Sequence, residues 1–238
     1  MGALRFLLRE RAVVIFYMGH TSDRKIVSQV RERPQRMGFL VQRGYSGRYP
    51  IHEGIRWAYD NGAYSDFIHS REFDAEAFRE DLTRFMEEGL KPNWVVLPDI
   101  VQGGPRSLEH SLRWLEELPR QFPYLIAVQD GMTREMVEPH MKPIRGLFVG
   151  GSSEFKATLP EWCQLAHDHG KICHLGRSSS INRILWAKVC EADSCDSSFF
   201  NWTRDRVDAL LEFIDAGYVT RQQWFDFFNV QPQRWEKP

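Results

Sequence analysis

Three aspartates stand where this sequence could do chemistry. Asp60 lies in the run Trp57-Ala-Tyr-Asp60-Asn61-Gly62, Asp99 ends Trp94-Val-Val-Leu-Pro-Asp99, and Asp196 ends Asp193-Ser-Cys-Asp196. Three further runs have the same form: Leu125-Ile-Ala-Val-Gln129-Asp130-Gly131, Leu147-Phe-Val-Gly150-Gly151 and Ile172-Cys-His174-Leu-Gly176-Arg177. Each reads as an apolar strand ending in a polar, glycine-flanked tip. Carboxylates that share a desolvated site repel one another, and this drives their pKa values apart. One can then serve as nucleophile while another trades protons. A lone aspartate of this kind is as readily a turn cap. Three of them, with Gln129, His174 and a Gly-Gly tip, point to a site.

The other tips add smaller signals. Gly150-Gly151 lets a ligand approach the backbone closely and offers amide N–H groups to a carbonyl oxygen. The stretch His174-Leu-Gly-Arg177-Ser-Ser-Ser180 leads into a helix beginning near Ile181, with Arg183 in its first turn. Free amides and the helix dipole favour an anion there, so Arg177 and Arg183 are candidate phosphate contacts, with surface salt bridges as the competing explanation. A metal-hydrolase signature is missing. The first strand ends Met18-Gly19-His20 rather than in alternating histidines, and His174 is the only histidine at another strand tip. No metal and no cofactor are expected.

Such tips need a scaffold that gathers strand ends. Strand-like runs fall at residues 13–18, 38–42, 56–60, 94–99, 124–129, 146–150, 171–174 and 192–196. Asp74 can cap a helix over 75–90, in which Phe78, Leu82, Phe85 and Met86 recur at helical spacing. Further helices are expected at 106–117, 159–169, 180–191 and 204–216. About eight strands separated by helices predict a (β/α)₈ TIM barrel, whose active sites gather at the carboxyl ends of its strands.

The 238 residues and 28.0 kDa fit one such domain over 1–238, and 42% hydrophobic with 26% charged residues are ordinary globular values. Four cysteines without CxxC spacing suit a reduced cytoplasmic setting. The early apolar run at 12–18 is too short for a membrane span, which needs roughly 20 residues. Charge is uneven, with 11 Lys/Arg against 5 Asp/Glu between Met1 and Asp60. That excess permits a polyanionic partner. The loop at 43–50 interleaves basic and aromatic residues and suits either solvent or a nucleic-acid backbone. The cluster Trp224, Phe225, Phe227, Phe228 and Trp235 is expected to pack over the barrel floor.

From about Gly38 to Phe199 the chain resembles the tRNA-guanine transglycosylase superfamily, most closely its compact phage and prophage branch that inserts 7-deazaguanine bases into DNA. The resemblance rests on Trp-Ala-Tyr-Asp-Asn-Gly-Ala-Tyr, Pro-Asp-Ile-Val, Val-Gln-Asp-Gly, Phe-Val-Gly-Gly-Ser-Ser-Glu-Phe-Lys, His-Leu-Gly-Arg and Asp-Ser-Cys-Asp-Ser in this order. It implies Asp196 as nucleophile and Asp60 as the second catalytic aspartate. Asp99, Gln129 and Gly151 would read the guanine edge, and Tyr64 would stack on the base. Gly150, His174 and Asn61, the last standing where the tRNA enzymes carry serine, count with the base-binding residues. The tRNA enzymes carry a zinc site after the nucleophile, whereas no cysteine follows Cys195 here. A barrel without the zinc-binding subdomain is expected, acting on DNA with a free 7-deazaguanine such as 7-cyano-7-deazaguanine. A tRNA substrate, a base glycosylase and an idle nucleic-acid- or nucleoside-binding barrel are the alternatives. Homodimerisation is left open by the sequence.

Overall fold

A computed structural model describes residues 13–44, 54–198 and 206–215. The 45–50 part of the basic-aromatic loop and the C-terminal aromatic cluster lie outside the described residues. Eight parallel strands close on themselves: β1 (Ile15–Gly19), β2 (Met37–Gln42), β3 (Trp57–Asp60), β4 (Val95–Val96), β5 (Tyr124–Val128), β6 (Gly146–Val149), β7 (Ile172–Leu175) and β8 (Ser194–Asp196). Each strand pairs with the next, and β8 returns to β1 with Asp196 opposite Tyr17. The fold is therefore a single (β/α)₈ barrel.

Between the strands run α1 (Arg24–Glu32), α2 (Ala63–Ile68), α3 (Ala75–Glu87), α4 (Pro105–Glu117), α5 (Arg134–Val137), α6 (Ser153–Lys156), α7 (Leu159–Asp168) and α8 (Ile181–Val189). The helix α9 (Val207–Asp215) follows β8. Their starts follow local chemistry: Asp74 Oδ1 accepts from Ala77 N at 3.0 Å and Asp23 Oδ1 from Lys25 N at 2.9 Å. In α3, Phe78, Leu82 and Phe85 are buried as their spacing requires, whereas Met86 faces solvent. A polar residue takes a place on the inner side instead: Asp81 is buried and accepts the Tyr59 hydroxyl at 2.7 Å. No described helix is long and apolar enough to cross a membrane.

Strand alternation divides the side chains between two apolar cores. Phe16, Met18, Phe39, Trp57, Tyr59 and Ile126 face outward and pack beneath the helices. Tyr17, Ala58, Trp94, Val96, Leu125 and Ala127 face inward and fill the barrel. The same period of two carries inward-facing residues onward to the carboxyl rim. Asp60 lies two beyond Ala58, Gln129 two beyond Ala127, and Asp196 two beyond Ser194. Near this rim the interior is closed by rings. Trp94 and His174 lie 4.6 Å apart between centroids, and Phe148 stacks on His174 at 4.8 Å.

Strand β4 is shorter than the 94–99 run predicts. Pro98 has no N–H to give to a ladder, so pairing stops after Val96 apart from Leu97 N to Leu125 O at 3.0 Å. The short helices α2, α5 and α6, and helix α1, are additions to the sequence prediction.

Gly176 continues β7 where a side chain cannot fit, because a Cβ there would lie 2.4 Å from the Phe148 ring. Gly176→Ala must push Phe148 off His174 and Trp94. The expected cost is about 1–3 kcal/mol, seen as a Tm lowered by several degrees in thermal denaturation. An unchanged Tm would mean that the ring has room to move.

Candidate functional site

The carboxyl ends of the strands surround a cavity of about 730 Å³ lined by Asp60, Asn61, Tyr64, Asp99, Gln129, Gly150, Gly151, Arg177 and Asp196. The sequence-selected residues thus come together, except that His174 and Arg183 do not line the cavity.

The turn after β3 is built by its own side chains. Asp60 Oδ1 accepts from Gly62 N at 2.9 Å, Asn61 Oδ1 accepts from Ala63 N at 2.7 Å, and Gly62 takes φ +81°. Asp60 therefore caps its turn with one oxygen while it lines the cavity. Asn61 spends its amide nitrogen on Leu97 O at 2.7 Å and Asp99 Oδ1 at 2.9 Å. Its polar atoms thus hold the turn and Asp99 in place within the cavity wall.

Burial is the main influence on both acids. It pushes Asp60 up to about 6, the charges of Asp196 and Asp99 push the same way, and the Gly62 N–H and Arg43 pull back. Asp99 is also pushed up to about 6 by burial, against the pull of the Asn61 hydrogen bond.

Gln129 has a fixed orientation. Its Nε2 donates to Ile100 O at 2.9 Å and to Ser107 Oγ at 2.8 Å. A backbone carbonyl only accepts, so the amide cannot be flipped, and Oε1 is the atom left for a ligand. Gly151 adopts φ +75°, and a Cβ there would sit 2.5 Å from Asp130 Oδ2. Asp130 in turn accepts from Ser152 N at 2.8 Å and from the Ser152 hydroxyl. No described acceptor takes the Gly151 N–H.

His174 lies behind the cavity wall. It is fully buried, with Nε2 3.0 Å from Asp196 Oδ1 and Nδ1 2.8 Å from Ser194 Oγ. Its contact is with Asp196 rather than with the cavity. The Arg177 amide, at φ +52°, donates to the same Asp196 Oδ1 at 2.8 Å.

The Arg177 guanidinium lies 3.6 Å over the ring of Tyr64, which is 40% exposed at the cavity mouth. Arg183 bonds Ser153 Oγ at 2.5 Å and the Arg177 carbonyl at 3.4 Å. No described carboxylate pairs with either arginine, so the salt bridges weighed for them are not formed among the described residues. Lys156, which sequence reasoning did not single out, is buried beside them. Burial and the charges of Arg177 and Arg183 push it down to about 8, while Asp196 and Asp130 draw it back. Its only sequence signal is its place at the end of the Gly150-to-Lys156 run. No group of three or more His, Cys, Asp or Glu among the described residues is arranged to hold a metal ion.

No protein-family model matches the chain, and no curated protein matches it.

The raised Asp60 makes stability depend on pH. Its folded-state value, about 6, exceeds the ordinary carboxylate value of about 4, so the folded state holds the proton more tightly between these limits. Stability from this group is full below about pH 4 and is lost as pH rises through about 6. Asp60→Asn keeps an acceptor for Gly62 N and removes the buried charge. It should be more stable than the parent by roughly 1–3 kcal/mol at pH 7.5, with the difference shrinking toward pH 4. Urea denaturation at the two pH values checks this, and an equal difference at both would refute it.

Proposed function

We propose that the protein exchanges guanine in a polynucleotide for a free 7-deazaguanine base, with DNA as the polymer. The observation that carries this is the meeting of Asp60, Asp99 and Asp196 in one cavity with a fixed Gln129 carbonyl and a Gly151 N–H that no acceptor takes among the described residues. Guanine's Watson-Crick edge offers two donors, N1–H and the 2-amino group, and one acceptor, O6. Asp99 and Gln129 Oε1 are acceptors suited to the donors, and the Gly151 N–H suits O6. The resemblance to the transglycosylases assigns the same residues, and it also favours DNA.

In the proposed reaction a carboxylate oxygen of Asp196 attacks C1′ of the extruded nucleotide. The C1′–O bond forms as the C1′–N9 bond breaks, and its electron pair leaves with guanine, which takes a proton from Asp60. Asp60 suits this role because its raised pKa leaves a protonated fraction near neutral pH. The incoming base then gives its N9 proton to Asp60 and attacks C1′ from the opposite side, releasing Asp196. Two inversions give net retention. Splaying the nucleotide out of a duplex costs a few kcal/mol, which stacking on Tyr64 offsets in part. To stack on Tyr64 the base must displace Arg177 from its face or take the opposite one, near Phe67. Arg177 and Arg183 offer cationic footing for the flanking phosphates.

Incubation with labelled guanine and either DNA or tRNA tests this. Label entering DNA supports the proposal, and faster entry into tRNA at matched salt would move the substrate to RNA. Loss of base without exchange would make the protein a glycosylase, and neither would leave a binding barrel. With substrate but no acceptor base, the parent should accumulate a denaturation-resistant protein–DNA adduct that Asp196→Asn does not form. Asp99→Asn should keep the fold and lose guanine affinity by about 1–3 kcal/mol, measured by calorimetry, because an amide can turn a donor toward a donor.

A further inference from the structure

We infer that the buried pair His174 and Ser194, together with the backbone amide of Arg177, selects which oxygen of Asp196 attacks. The inference rests on the proposed transglycosylase chemistry and adds a positioning residue to it. Two donors converge on one oxygen: His174 Nε2 at 3.0 Å and Arg177 N at 2.8 Å both meet Oδ1. No described donor reaches Oδ2. Charge-assisted bonds draw electron density from the oxygen that accepts them, so Oδ2 is the better nucleophile and Oδ1 the anchor.

The protonation pattern of the imidazole follows from its partners. A carboxylate only accepts, so Nε2 carries a proton, and in the neutral ring Nδ1 accepts a hydrogen bond from the Ser194 hydroxyl, 2.8 Å away. Ser194 and His174 are register partners on β8 and β7, which ties this contact to the barrel ladder. Phe148 stacks on the ring at 4.8 Å, Trp94 packs tilted against it at 4.6 Å, and Tyr17 meets it edgewise at 5.9 Å. Ser194 is 2% exposed and His174 0%, and neither lines the cavity. A serine nucleophile activated by His174 would therefore face the barrel interior instead of a ligand. The relay points outward, and its free end is Asp196 Oδ2.

Arg177 contributes through its backbone. A non-glycine residue at φ +52° is strained, and here that conformation aims the amide at Oδ1. In the attack, the Oδ2 lone pair forms the bond to C1′ and the C1′–N9 pair leaves with the base, which is protonated by Asp60. Oδ1 becomes the carbonyl oxygen of the glycosyl ester, still accepting from His174 and Arg177.

The test compares single-turnover adduct formation with guanine affinity in His174→Gln, His174→Asn, His174→Phe and Ser194→Ala, each confirmed folded by its thermal transition. Glutamine can set a donor nitrogen where Nε2 stood; asparagine is too short and phenylalanine has no donor. A misplaced nucleophile should slow adduct formation on the order of 100-fold in His174→Asn and His174→Phe, with guanine affinity unchanged. His174→Gln should recover most of the rate, and Ser194→Ala should lose less than His174→Asn. Where His174→Phe does not fold, His174→Asn and Ser194→Ala carry the comparison. Parental rates in the His174→Asn or His174→Phe variant, or a glutamine variant as slow as the asparagine one, would overturn the inference. A parent protein that forms no adduct overturns the transglycosylase proposal, and this inference falls with it.

Discussion

Bringing three aspartates to one poorly solvated cavity is unfavourable, and the surroundings are arranged around that cost. Burial raises Asp60 and Asp99 to about 6, and Asp60 feels the charges of both other acids. Each carboxylate is held against this by a donor that cannot move far: the Gly62 amide for Asp60, the doubly bonded Asn61 amide for Asp99, and His174 with the Arg177 amide for Asp196. On the side formed by the tips of β6 and β7 the charge reverses, with Arg177 and Arg183 close enough to Lys156 to push it down to about 8. Cations thus gather on one side of the opening, within electrostatic reach of Asp196 and Asp130. A ligand with hydrogen-bond donors at one end and an anion at the other would relieve both strains.

The barrel makes this arrangement rigid. Strand alternation sends every second side chain inward, and the same alternation that packs Tyr17, Ala58 and Ala127 inside brings Asp60, Gln129 and Asp196 to the rim. Trp94, Phe148 and His174 pack below the site, so a change in the apolar interior is transmitted to Asp196 through the His174 imidazole. The absence of a side chain at Gly176 belongs to the same packing, since it is what lets Phe148 lie against His174.

Much of this was legible because strand ends and their polar tips are local features. Asp60 and Gln129 follow apolar runs of the right length, Asp196 ends a short run that reads as a strand, and Asp74 announces its helix. What was not legible depends on contacts far apart in the chain. Helices α2 and α6 span six and four residues, too few to show a period, yet α2 carries Tyr64 and α6 carries Lys156. Asp99 was named with the other two acids, but the way it is held was not legible: it breaks the strand alternation, because β4 stops before Pro98, and it is bonded at the cavity wall by Asn61, 38 positions away. Asn61 and His174 were expected to touch the base, but both spend their polar atoms on the protein. Nothing in the tripeptides around them states that their partners lie across a turn or on the neighbouring strand.

Arg177 ties the two halves of the site together. Its side chain lies on Tyr64, where a base is proposed to stack, and its amide holds the oxygen of Asp196 that is not proposed to attack. These two contacts are made by different parts of the residue. A base that displaced the guanidinium would leave the amide in place, because the backbone there is anchored independently by Ser178 N to Asp196 O at 2.7 Å and by Gly176 N to Val149 O at 3.0 Å. On the proposed chemistry, the side chain would then be released toward the phosphates that enter with the nucleotide, while the nucleophile stayed in its aimed position. The left-handed conformation of Arg177 is costly for an arginine, where glycine would be unstrained. Glycine would keep the amide but lose the cation, so on the proposed chemistry the strain goes with a residue that supplies both.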